Sequence, residues 1–218
     1  MNPILVVSPH LDDAVLSMGQ FLAGWPGATV MTVFSGIPEE ESVTTFDVNS
    51  GFNNSTQAMM ARWNEDERAL AVLGSNRIHV GAIDNQYRKD DDVVDVDNII
   101  RCIKNAIDSL GITNLVMPLG LAHVDHAITN EACVVIAQNV DIPIWAYEDV
   151  PSRVLWPETV VEALDRLKGR KFKPSLSFLG TGPMESKKEA IACYTSQLWA
   201  LDQNVIFVPE RIWKLDKN

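Results

Sequence analysis

Histidine is scarce in this chain, four residues among 218, and cysteine is scarcer still at three. Cys102, Cys133 and Cys193 lie far apart and form neither a CxxC pair nor an even-numbered framework. Buried inert thiols in a reducing compartment are therefore expected. Positive charge is also short: 18 Lys and Arg against 29 Asp and Glu leave a formal charge of −11. Nucleic acid demands a basic surface and anionic lipid attracts one, so neither is expected as a partner. No stretch approaches the ~18 consecutive apolar residues of a membrane helix. The opening Met1-Asn2-Pro3-Ile4 lacks the basic region, apolar core and cleavage site of a secretory leader, which makes the cytoplasm the expected location. Repeats and low-complexity linkers are missing too, and residues 1–218 are read as one domain.

What is present is a chain with 46% hydrophobic residues, enough for a full core. Short β-branched runs at 4–8, 29–34, 77–82, 114–118 and 142–147 read as buried strands. Helical spacing covers 13–22, 59–73, 96–110, 127–138, 159–167 and 185–201. Strands alternating with helices predict an α/β fold with a mainly parallel sheet and helices on both faces. Ligands in such sheets bind beyond the carboxyl ends of the strands.

Three of the four histidines stand at those ends, beside carboxylates. His10-Leu11-Asp12-Asp13 follows the first strand, and His123-Val124-Asp125-His126 lies five residues past Pro118. Asp12 or Asp13 alone reads as a helix cap. Two His/Asp clusters at two strand ends of a His-poor chain point instead to a metal or catalytic site. His10 and Asp13 can grip one ion from a sharp turn, and His126 completes a set of two histidines and one carboxylate. Three protein ligands with an open position is the pattern of catalytic zinc, which brings the pKa of water toward ~7. Asp12, not consumed as a ligand, is the natural general base. His123 is placed to stabilise an oxyanion and protonate a leaving amine, with Asp125 holding its imidazole. His79, inside a strand-like run without a neighbouring carboxylate, reads as structural.

These residues resemble the PIG-L / LmbE-like family of metal-dependent N-acetylglucosamine deacetylases. The family pattern is a strand, then His-Pro-Asp-Asp, and later His-x-Asp-His. Further along, Arg62-Trp63-Asn64-Glu65 looks like the family's Arg-x-x-Glu helix, Asp84 like a common aspartate, and Lys187, Ala190, Tyr194, Ser196 and Gln197 like its late helix. The resemblance implies a Rossmann-like three-layer fold and zinc held by His10, Asp13 and His126, with Fe2+ or another divalent ion as the alternative. It implies Asp12 as base, His123 as acid or oxyanion stabiliser, Asp125 as its tuner, and Arg62 as a substrate contact. An ion pair from Arg62 to Glu65 or Asp66 on the same helix is the competing reading. Ala14 stands where the family often has Glu, Leu11 and Val124 where it has Pro, and Leu121 where some members have Tyr. None of these removes a ligand, the base or the acid.

The implied reaction is removal of an N-acetyl or similar acyl group from an amino sugar or its conjugate. A metal-dependent phosphoesterase and a catalytically silent sugar-binding protein are the competing readings. Selectivity is expected in residues 35–57, 85–95 and 147–153, and Trp63, Trp145 and Trp156 are either sugar-stacking or core residues. The small-molecule partner is an N-acetylated amino sugar or glycoconjugate, and a homo-oligomer stays open.

Overall fold

The computed structural model describes residues 2–177 and 182–217. In chain order the elements are β1 (Ile4–Ser8), α1 (Asp13–Gly24), β2 (Thr29–Thr32), α2 (Thr45–Asn49), α3 (Ser55–Val72) and β3 (Asn76–His79). Then come α4 (Val96–Leu110), β4 (Asn114–Pro118), α5 (Val124–Asn139), β5 (Ile144–Tyr147), α6 (Ser152–Leu155) and α7 (Glu158–Gly169). The chain closes with β6 (Phe172–Ser177), α8 (Met184–Ile191), α9 (Gln203–Ile206) and β7 (Ile212–Lys217).

Alternation along β1 explains the layering. Side chains of a strand point to opposite faces in turn. Leu5 and Val7 join a buried cluster with Ile99 and Ile103 of α4 and Ala132 and Cys133 of α5. Ile4 and Val6 join the opposite cluster with α1, with Ala69 and Leu70 of α3 and with Ala190 of α8. The sheet is thus sandwiched between two helical layers, the expected three-layer α/β arrangement.

Strand order is β3-β2-β1-β4-β5-β7-β6. The pairings from β3 through β5 are parallel, and β7 pairs antiparallel with both β5 and β6. Two late strands, the edge strand β6 and its inner neighbour β7, lie where the sequence gives no strand signal. β6 carries Pro174, tolerated at an edge where no ladder donor is needed, and β7 reads IWKLDK with charge in its middle. The late helical stretch is also shorter than its periodicity suggests. It ends at Ile191, because the residues that follow turn toward α3: Thr195 and Ser196 hydrogen-bond Glu65, and Tyr194 bonds Asp66.

The chain leaves β1 toward β2 on one side, while β4 continues to β5 on the other. Between β1 and β4 the order reverses, and the loops that follow these two strands part to open a crevice.

Candidate active site

His10 and Asp13 occupy the turn from β1 into α1, and His123 and His126 the start of α5 after β4. The topology therefore delivers both clusters to one crevice. A cavity of about 420 Å³ opens there, walled by His10, Asp12, Asp13, Asp84, His123 and His126 together with Arg62. Asp125 is fully buried behind them.

Three donor atoms converge. Asp13 Oδ2 lies 3.1 Å from His10 Nδ1 and 3.1 Å from His126 Nε2. The outer nitrogen of each ring faces a carboxylate: His10 Nε2 is 3.1 Å from Asp125 Oδ2, and His126 Nδ1 is 2.8 Å from Asp149 Oδ1. When the outer nitrogens carry the ring protons, both inner lone pairs point at the same carboxylate oxygen. Such a set of acceptors is repulsive until a cation sits among them, and this outer-carboxylate arrangement is how histidine ligands are oriented in metal sites. The donor set therefore fits a divalent ion. Two groupings of close donor atoms share His10: one joins it to His123 and His126, the other to Asp84 and Asp125.

Protonation follows the same logic. Burial pulls His126 down, but Asp13 and Asp149 overcome it and lift its pKa to about 10. Burial likewise opposes protonation of His10, and Asp84, Asp125 and Asp13 raise it nonetheless. Burial works against ionised Asp13 as well, yet His126 and His10 hold it well below the ordinary carboxylate range. Without a cation, protons on the two imidazoles compensate the buried carboxylates.

Asp12 stands apart from this cluster. It occupies the N-cap position of α1, but its carboxylate makes no capping hydrogen bond. Burial and the negative charge of Asp13 push its pKa up to about 7. It faces the cavity as a carboxylate of raised basicity. His123 caps α5 instead: its Nδ1 accepts the Asp125 backbone N–H at 3.2 Å, which leaves Nε2 as the proton-bearing nitrogen of the neutral ring. Burial and the positive His10 and His126 lower its pKa. The preceding Ala122 holds φ at 57°, a left-handed conformation that is uncommon outside glycine.

Asp125 departs from expectation. Its carboxylate does not hold the His123 ring; it accepts from the backbone N–H of Asn85 and pairs with Arg88 and His10. Position i+2 at a helix start turns the side chain away from the cap residue and toward His10, Asn85 and Arg88. Asp149, which the motifs did not reveal, does for His126 what Asp125 does for His10. It also accepts from Gly120 N–H at 3.0 Å. Gly120, at φ 75°, has no room for a Cβ, which would come within 2.9 Å of the His126 carbonyl. Asp149 follows β5 at the same sheet edge, so its place beyond a strand end was the available signal.

Arg62 reaches the cavity from α3, yet its partner is neither Glu65 nor Asp66. It pairs with Asp47 of α2 at 3.1 Å, and Asp47 also accepts the Tyr87 hydroxyl at 2.8 Å. The two irregular stretches 35–57 and 85–95 are thus tied together over the cavity. Residues 147–153 are largely inward: Tyr147, Glu148 and Asp149 are buried. His79 is outside the cavity lining, packed 5.5 Å from Trp63 and 3.6 Å from the Asp66 carboxylate. Of the tryptophans considered for stacking, Trp63 donates to the Ser35 carbonyl and Trp145 packs on the core. Trp156 is exposed and does not line the cavity.

The family model for PIG-L, GlcNAc-PI de-N-acetylase, matches residues 5–137, a span that contains both His/Asp clusters. The chain belongs to the PIG-L family. No curated protein matches it. Among solved structures it is similar to the zinc-inhibited form of teicoplanin deacetylase Orf2, at 23% identity and TM-score 0.83, covering 100% of this chain and 99% of that one. A deacetylase–teicoplanin complex is similar at 24% identity and TM-score 0.79, with the same coverage. The A40926 pseudoaglycone deacetylase Dbv21 is similar at 25% identity and TM-score 0.73, covering 98% and 97%. The fold shared with these structures extends through the described chain, including β5, β6 and β7 beyond the matched span. Among the described residues no helix is long and apolar enough to cross a membrane.

Proposed function

We propose that this PIG-L family chain is a zinc-dependent hydrolase that removes an N-acetyl or similar acyl group from an amino sugar or its conjugate. The observation that carries the reading is the approach of His10 Nδ1 and His126 Nε2 to Asp13 Oδ2, with each outer ring nitrogen on its own carboxylate and Asp12 beside them without a capping role. The family description and the deacetylase neighbours support the amide as the bond cleaved.

His10, Asp13 and His126 hold the ion, which when bound supplies Lewis acidity toward water and the amide carbonyl. Asp12 takes the proton of the attacking water; its carboxylate is not committed to capping α1 and faces the cavity. His123, neutral with its proton on Nε2, lines the cavity to donate a hydrogen bond to the developing oxyanion, and the proton taken up by Asp12 passes to the departing amine. Asp125 and Asp149 do not meet the substrate: they fix the tautomers of His10 and His126. Arg62, held by Asp47, offers its remaining N–H groups to sugar hydroxyls or to an anionic substituent.

Metal analysis joined to an acetate-release screen over N-acetyl sugars tests this. One divalent ion per chain and acetate release are expected. Asp12→Asn should keep the ion and lose about 10²- to 10⁴-fold in kcat, the usual worth of a general base. Full activity in that variant, with the ion retained, refutes the assignment. Two ions per chain with phosphate-ester turnover favours the phosphoesterase instead.

A further inference from the structure

We propose that Trp199, backed by Phe46, is a specificity-determining platform for an apolar aglycone attached to the amino sugar. The proposal rests on the deacetylase reading above. Trp199 belongs to a 3₁₀ turn, Leu198–Ala200, and half of its surface is exposed. Its ring centroid lies 5.0 Å from that of Phe46, which lines the cavity and carries the Arg62 guanidinium 5.2 Å from its own ring. Ala200 and Leu201, the next two residues, also line the cavity. The indole therefore continues the cavity wall outward at the mouth.

Its polar edge is already used. The indole N–H donates to Ser50 Oγ at 3.0 Å, and that hydroxyl lies 2.9 Å from the carbonyls of both Phe46 and Ser196. The ring is thereby fixed between α2 and the 3₁₀ turn while its face stays open. Leu198, before it in the same turn, and Val48 of α2 are exposed and apolar. Groups that can bind hydroxyls, among them Arg62, Asp84, Gln86, Ser152 and Gln197, line the cavity with the metal ligands. A substrate that fills both regions has its amino sugar inside and an apolar ring or chain outside, stacked on Trp199. Buried aromatic contact of this kind is a strong and directional source of affinity.

The test uses the metal-loaded full chain with two substrates, phenyl N-acetyl-β-glucosaminide and free N-acetylglucosamine. Trp199→Ala should raise KM for the phenyl glycoside about tenfold with kcat changed less than about twofold, and leave the free sugar unaffected. Trp199→Phe should retain most of the affinity. Equal losses on both substrates, or an unchanged KM for the phenyl glycoside, overturn the platform. So does a loss confined to N,N′-diacetylchitobiose, which would make the outer group a second sugar. If the wild type releases no acetate from either compound, the deacetylase reading fails, and calorimetric binding of the phenyl glycoside decides the platform separately. Binding weakened about tenfold by Trp199→Ala sustains it, and no binding or no weakening overturns it.

Discussion

An imidazole offers a metal only the lone pair of the nitrogen that carries no proton. In His126 that nitrogen is selected by Asp149, whose Oδ1 takes the Nδ1 proton at 2.8 Å, and in His10 by Asp125. Asp149→Asn keeps the volume but presents an amide that can also donate, so the favourable tautomer is no longer enforced. Metal affinity should fall about 10- to 100-fold, as outer-carboxylate changes generally do. Competition against a chelator of known affinity measures it; affinity unchanged by the substitution would remove Asp149 from the site. Asp125→Asn should act in the same direction through His10, and also remove the ion pair of Arg88, which keeps its hydrogen bonds to Ile83 and Asn85.

At the scale of elements, α1 has to turn sharply after the metal-binding loop. Its backbone leaves helical geometry at Met18, and the N–H groups of Gln20 and Phe21 lose their usual partners there. Glu210 accepts both, at 2.7 and 3.0 Å, and Lys187 of α8 closes the arrangement with a 2.9 Å ion pair to Glu210. Lys187 is completely buried, and its stem fills the space over Gly19, where any Cβ would approach within 2.7 Å of it. Lys187→Ala leaves an uncompensated buried carboxylate and should cost about 3–5 kcal/mol, read as a shift in the urea midpoint. A shift near zero would mean that Glu210 is satisfied by the backbone alone. The lysine thus acts on the site only through the α1 bend. Alternation and spacing made β1, β4 and α4 legible to the residue, since their apolar patterns are uninterrupted. The region after Ile191 was illegible as a turn because Tyr194 and Ser196 leave the helix for partners on α3, more than a hundred residues earlier in the chain. A helical period carries no information about such partners.

Across the whole molecule, the same limit separates what the motifs revealed from what they did not. The inner site was readable because each cluster is local: His10 with Asp13 within one turn, His126 with Asp125 at one helix start. The partners that fix them, Asp149 for His126 and Asp47 for Arg62, come from other strands and loops, and only the strand order brings them in. That convergence of acidic groups gives the metal-free protein a characteristic pH dependence. His126 has an ordinary pKa near 6.5 when unfolded and about 10 when folded, so the folded state binds the extra proton. A raised pKa contributes stability that is complete below about 6.5 and lost as pH climbs through about 10. Chelated protein should therefore lose thermal stability steadily across that window, and His126→Gln should flatten the slope. A bound divalent ion replaces the imidazole proton, so the metal-loaded protein should show no such decline and should melt higher, by about 4 kcal/mol of stabilisation at a thousandfold excess over Kd. Parallel melting curves for the chelated and loaded forms from pH 6.5 to 10 would mean that the ion does not bind where the histidine proton sits.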